Sequence, residues 1–224
     1  MLTKKEQGFS ILFFIIVIAE LICSSIESLN GLHYITKPAI LVSLIAYFLT
    51  SSNHLNKTLK LLTLFALLFS LLGDVLLMFV HKSEGYFMFG LIAFLLAHIM
   101  YIIVFLKHKN PNKNPYVFTL IALLYAAILF YIMFDGLGDM LYPVTVYMLV
   151  ILTMAITAFL RQGKVLPLSY SLVFLGALLF MLSDSILALN KFYKPLPLSN
   201  ISIMLTYALA QYFIVLGLLK NKKF

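Results

Sequence analysis

The chain has a single cysteine, Cys23. An intramolecular disulfide is therefore excluded, and so is a metal centre built from several thiolates. Charge is scarce too: Asp, Glu, Lys and Arg make up 11% of the residues, against about 25% in an ordinary soluble domain. None of the five histidines shows His-Glu-x-x-His or His-x-x-x-His spacing. No Gly-x-Ser-x-Gly nucleophile elbow and no glycine-rich phosphate loop occurs. The apolar run that begins at Phe9 outlasts the ~7–15 residues of a signal-peptide core and lacks a clear cleavage site, so it reads as a retained first helix.

What fills the chain instead is hydrocarbon. Apolar residues reach 63%, where about 45–50% is usual for a soluble protein. The sequence predicts an all-α, polytopic membrane protein with little mass outside the bilayer. The net charge of +8 is dispersed between apolar spans, which argues for membrane orientation and against nucleic acid.

A spanning helix needs about 20 mostly apolar residues. Segments between charge clusters and Pro, Gly or Asn breaks yield eight spans: 9–29, 36–50, 59–80, 85–106, 116–134, 140–160, 168–190 and 199–219. The second is short, which leaves an earlier start near His33, a tilt, or a break at Pro38 open. Of the sixteen Lys and Arg, only Lys37, Lys82, Lys191 and Lys194 fall on one side. Lys4, Lys5, Lys57, Lys60, Lys107, Lys109, Lys113, Arg161, Lys164, Lys220, Lys222 and Lys223 fall on the other. The positive-inside rule then places both termini in the cytoplasm.

Two aspartates lie within these spans, in Gly73-Asp74-Val75 and Ser183-Asp184-Ser185. A carboxylate in hydrocarbon costs several kcal/mol unless it is protonated, paired or facing water. Both lie near the outer ends of spans three and seven, which run in the same direction. The helices that follow carry Phe94-Leu95-Leu96-Ala97-His98 and Tyr207-Ala208-Leu209-Ala210-Gln211, so His98 corresponds to Gln211. This pattern predicts one membrane domain made of two four-helix halves, 1–110 and 111–224, related by a parallel repeat, with the site at their interface.

Other polar residues accompany the acids. Lys37 opens span two, as a snorkelling anchor or a ligand for a phosphate headgroup. Tyr101, Tyr147, Tyr207 and Tyr212 are intramembrane hydroxyls that need partners, as packing residues or as donors to a carboxylate or lipid phosphate. His98 reads as a satisfied core histidine or as part of the site. Glu20, mid-span in the first helix, reads as a cavity wall or as a hydrogen-bonded neighbour. Ser183 points about 100° away from Asp184 on a helix, a poor nucleophile–base pair.

Taken in order, these residues resemble the YhhN family of membrane proteins, which includes lysoplasmalogenases. The resemblance rests on Lys37-Pro38, on Phe69–Met78 around Gly73-Asp74, and on Phe89–Tyr101 ending in Ala97-His98. It continues through Pro143-Val144-Thr145-Val146-Tyr147, the stretch from Gly176 to Ser183-Asp184-Ser185, and Tyr207–Gln211. It covers spans two to eight. The resemblance implies an eight-helix ether hydrolase that cleaves the vinyl ether of lysoplasmalogens to a fatty aldehyde and glycerophosphoethanolamine or glycerophosphocholine. Its partners would be a lysophospholipid substrate and the bilayer, its location a bacterial cytoplasmic membrane. No metal or organic cofactor is called for.

Two carboxyls suit that reaction. Vinyl ether hydrolysis begins with slow protonation of the outer alkene carbon, a step that general acid catalysis speeds ~10²–10⁴-fold. A second carboxylate can stabilise the cation and orient water. Asp74 and Asp184 are the expected catalytic pair, and Lys37, His98, Tyr101, Tyr147, Tyr207 and Gln211 the expected substrate-binding set. The rival expectation is a proton-coupled transporter of small molecules or lipids, since intramembrane acids and repeats also mark transporters.

Overall fold

A computed structural model describes residues 3–221. Within it lie eight helices long and apolar enough to cross a membrane, and the protein is an integral membrane protein. They are α1 (Lys4–Ser25), α2 (Asn30–Ser51), α3 (Lys57–Leu77), α4 (Glu84–Leu106), α5 (Tyr116–Met133), α6 (Leu141–Phe159), α7 (Pro167–Phe192) and α8 (Ser199–Leu219). Short 3-10 turns at Glu27–Leu29, Phe134–Gly136 and Gly138–Met140 join α1 to α2 and α5 to α6.

Local chemistry sets the helix ends. Thr3 and Glu6 form a capping box that starts α1 earlier than hydropathy alone suggests. The Asn56 side chain accepts from Leu59 N–H at the start of α3, and Ser83 accepts from Gly85 N–H at α4. Pro167 occupies the first turn of α7, where its missing N–H costs nothing. The short second span gains its length at its beginning: α2 starts at Asn30 and continues unbroken through Pro38. Pro38 has no N–H to donate to the preceding turn there.

Successive helices alternate in direction, so the α1–α2, α3–α4, α5–α6 and α7–α8 connections share one end of the bundle. Residues 3 and 221 lie at the other. Lys222 and Lys223, counted above for orientation, are outside the described residues. The terminal end is tied by an ion pair from Lys220 Nζ to Glu6 Oε2 at 2.7 Å.

α8 is the most enclosed helix, with 61% of its membrane-length window buried, and α5 the least, with 17%. α7 lies along α8 because glycines let the backbones meet: a Cβ on Gly176 would sit 2.8 Å from the Ala210 carbonyl oxygen. α3 lies along α4 in the same manner, with Gly73 against the Phe94 ring and Gly90 against Leu77. Beyond α6, Arg161 is fully buried and donates to Ser169 Oγ at 3.1 Å, while Ser169 donates to the Gly217 carbonyl at 2.7 Å. Burial lowers the Arg161 guanidinium to about 10, so it remains charged at neutral pH and ties the α6–α7 connection to α8.

Candidate active site

Asp74 is in the last turn of α3 and Asp184 two turns before the end of α7. Each is met by donors from other helices. Tyr207 of α8 donates to Asp74 Oδ2 at 2.7 Å. Tyr147 of α6 donates to Asp184 Oδ2 through a short hydrogen bond. His98 Nε2, from α4, lies 2.9 Å from the Tyr147 hydroxyl oxygen and 3.4 Å from the same Asp184 oxygen. With the Tyr147 proton committed to Asp184, the phenol oxygen is free to accept from His98 Nε2–H.

Asp74 thus takes its donor from α8, and Asp184 takes its donors from α6 and α4. Between them stands an aromatic wedge: Phe94, Phe180 and Tyr207 meet edge to face at 5.4–6.2 Å between ring centroids. Phe180 also packs edge-on against His98 at 4.6 Å. The wedge holds the donors in place without adding polar groups that would need partners.

Both aspartates line one cavity of about 550 Å³ at the end of the bundle opposite residues 3 and 221. Lys37, Glu20, His33 and Tyr207 share its wall, with Lys191, Asn190 and Asn200 from the α7–α8 end. The cavity combines three carboxyl groups, of Glu20, Asp74 and Asp184, with two lysines, Lys37 and Lys191.

A second, narrower space of about 60 Å³ adjoins it, between α4, α5, α6 and α7. Its lining is apolar except for Tyr125, Ser185, Tyr147 and Asp184, and the first two satisfy each other at 2.7 Å. Leu77, Phe87, Phe94, Asp184 and Leu187 border both spaces. Asp74 borders only the larger one.

The other residues singled out in the sequence separate into two groups. Lys37 and Tyr207 face the larger cavity and Tyr147 the narrower one. His98, Tyr101 and Gln211 line neither space. Tyr101 donates to Gln211 Oε1 at 2.7 Å, and Gln211 Nε2 donates to Ser70 Oγ at 2.9 Å, a closed network behind Asp74. Tyr212 lies toward the terminal end, 2.5 Å from Ser10 Oγ. Glu20 has a partner on each oxygen, His33 Nδ1 at 2.7 Å and Thr36 Oγ1 at 2.5 Å. Ser183 donates to the Ile203 carbonyl at 3.0 Å and is held as a structural hydroxyl between α7 and α8.

Sequence reasoning passed over His33, Lys191, Asn190 and Asn200. One signal was available for His33: it precedes Lys37 by four residues, the spacing that puts two side chains on one helical face. Lys191 counted only as a loop charge. Among the described residues, no three His, Cys, Asp or Glu side chains gather into a metal-holding group.

Comparisons with known proteins agree in one direction. The YhhN family profile matches residues 32–218. Lysoplasmalogenase TMEM86A of Bos taurus is 30% identical over 160 residues, which are 70% of this chain and 65% of that protein. Lysoplasmalogenase TMEM86B of Homo sapiens is 33% identical over 156 residues, 70% of this chain and 62% of its own length. The lysoplasmalogenase of Mycobacterium bovis is 32% identical over 157 residues, 68% of this chain and 58% of its own. The match thus spans somewhat less than two thirds of each relative. No solved structure matches the chain.

Proposed function

This chain belongs to the YhhN family, and on that premise we propose that it hydrolyses the vinyl ether bond of lysoplasmalogens. The products are a fatty aldehyde and glycerophosphoethanolamine or glycerophosphocholine. The observation that carries this reading is the pair of aspartates on the wall of one lysine-bearing cavity, with Asp184 at its boundary with an apolar space. The named activity of three relatives supports it.

In the proposed reaction, the proton of one aspartic acid passes to the outer alkene carbon, leaving an oxocarbenium centre at the carbon bonded to oxygen. The second aspartate, ionised, stabilises that cation and takes a proton from the water that adds to it. The resulting hemiacetal then collapses: the first aspartate, now ionised, takes the hydroxyl proton, and the second returns its proton to the glycerol oxygen as that carbon–oxygen bond breaks. Aldehyde and alcohol separate with both carboxyls restored. The proton-donor role goes to Asp184, because it borders the apolar space as well as the polar one and the carbon to be protonated lies on the chain side of the ether. Its Oδ2 is engaged by Tyr147, which leaves Oδ1 for the substrate. Asp74 faces the polar cavity and handles the water. Tyr147, Tyr207 and His98 hold the carboxyls in position. Lys37 and Lys191 meet the phosphate of the headgroup. The cavity opens toward the outer face of a bacterial cytoplasmic membrane when both termini are cytoplasmic.

The test uses purified protein in detergent with an alkenyl lysolipid and its saturated-ether analogue. Aldehyde should appear from the alkenyl lipid alone, with a normal solvent deuterium isotope effect from slow carbon protonation. Asp184→Asn and Asp74→Asn should each lose ~10²–10⁴-fold in kcat, the span of general acid–base catalysis. Full activity in both variants, or substrate-driven proton flux in liposomes without aldehyde, would overturn the proposal.

A further inference from the structure

The narrow space beside Asp184 has a shape and chemistry that the reaction alone does not account for. It follows the bundle from Phe192 and Met133 at the cavity end toward Met181 and Leu152 near mid-membrane. From Met181 to Phe192 along α7 is about 16 Å at the helical rise per residue. Its walls are apolar, aliphatic side chains with Phe87, Phe94 and Phe192, and its hydroxyls are already spoken for, Tyr125 by Ser185 and Ser185 by the Met181 carbonyl. Nothing on these walls offers a polar ligand a partner once Asp184 is passed.

The outer wall is α5, the least enclosed helix of the bundle. Ala126 is the small residue by which α5 comes close to this space, and Leu129 and Met148 are only half-buried at its side. The space therefore lies under the helix that is most open to the surrounding hydrocarbon.

We propose that the groove between α5, α6 and α7 holds the single hydrocarbon chain of a lysolipid, while the adjoining polar cavity holds its headgroup. The order of chemistry along the combined space matches one amphiphile: Lys37, Lys191 and Asp74 in the polar part, Asp184 at the border, then an apolar run. The two spaces are continuous, since Phe94, Asp184 and Leu187 belong to both. This inference rests on the proposed function for its substrate, but not for its test.

The experiment uses the full chain in nanodiscs and a saturated-ether lysolipid, which cannot be hydrolysed, with a diazirine midway along its chain. After illumination, label should concentrate on peptides containing Leu129, Met148 and Met181, and excess unlabelled lysolipid should compete it away. Ala126→Trp should reduce this labelling at least fivefold, and Ala126→Leu should reduce it less. Ile128→Trp, on the exposed face of α5, should not reduce it. In the aldehyde assay, Ala126→Trp should lower the ratio of kcat/KM for long over short alkenyl chains at least tenfold. Labelling spread evenly over lipid-facing helices and insensitive to competitor would overturn the groove. Groove labelling from a protein that releases no aldehyde would retain it and reject the vinyl ether reaction instead.

Discussion

At the residue scale, the protein answers the cost of its buried acids with hydrogen bonds from neighbouring helices. Asp74 is 2% exposed and relies on Tyr207; Asp184 relies on Tyr147 and His98. A buried acceptor deprived of its donor costs about 1–3 kcal/mol. Tyr207→Phe and Tyr147→Phe should therefore lower kcat about tenfold, since ~1.4 kcal/mol corresponds to one decade, with a modest fall in Tm. Tyr101→Phe gives the contrast. Its hydroxyl serves Gln211 behind the cavity, so Tm should fall while kcat stays within about twofold if the lost bond costs stability alone. Rates from aldehyde release and melting curves from the same preparations separate the two effects. The aspartates and tyrosines could be picked out from sequence because a polar atom in hydrocarbon is conspicuous. Which tyrosine serves which acid could not, because the partners are 133 and 37 residues apart in the chain.

At the scale of the helix, close approach decides the architecture. Hydrocarbon gives no solvent-driven reason for helices to associate, so backbone proximity and shape carry the packing. Gly176 and Gly217 let α7 and α8 meet, and a Cβ on Gly217 would come within 2.9 Å of the Val173 backbone nitrogen. Gly176→Val should destabilise by about 1–3 kcal/mol through overpacking, read as a lower Tm and lost near-ultraviolet circular dichroism. Gly8→Ala should do the reverse, because nothing lies within 4 Å of the added carbon. The gain should be about 0.5–1 kcal/mol from helix propensity. Span count and approximate helix ends follow from hydropathy and caps such as Thr3–Glu6 and Asn56. Pattern alone leaves the continuation of α2 through Pro38 open, since proline kinks some membrane helices and is tolerated within others.

At the scale of the whole molecule, the site belongs to no single stretch of chain. Glu20 and His33 come from the first two helices, Asp74 from the third, and Asp184 and Lys191 from the seventh. Asp184 depends on α4 and α6 and Asp74 on α8, so each acid is held by helices other than its own. The orientation proposed from lysine distribution has a direct test. Cys23 is buried, so Cys23→Ala supplies a background without thiols. In that background, Lys82→Cys should react with an impermeant maleimide in intact cells, and Lys57→Cys only after permeabilisation. The opposite pattern would invert the protein and move its cavity to the cytoplasmic face.

By itself, the sequence determined membrane residence, eight spans and two acids out of place in hydrocarbon. Those properties depend on composition and on one residue's conflict with its surroundings, and both are local. Only the tertiary structure decided that the acids share one cavity, and that Glu20 is spanned by His33 and Thr36. It also decided that Tyr101 and Gln211 stand behind the wall, and that an apolar groove meets the polar space at Asp184. Those facts depend on how each helix is rotated and which neighbour it meets. Helices with apolar residues around most of their circumference carry too weak a periodic signal to specify that rotation.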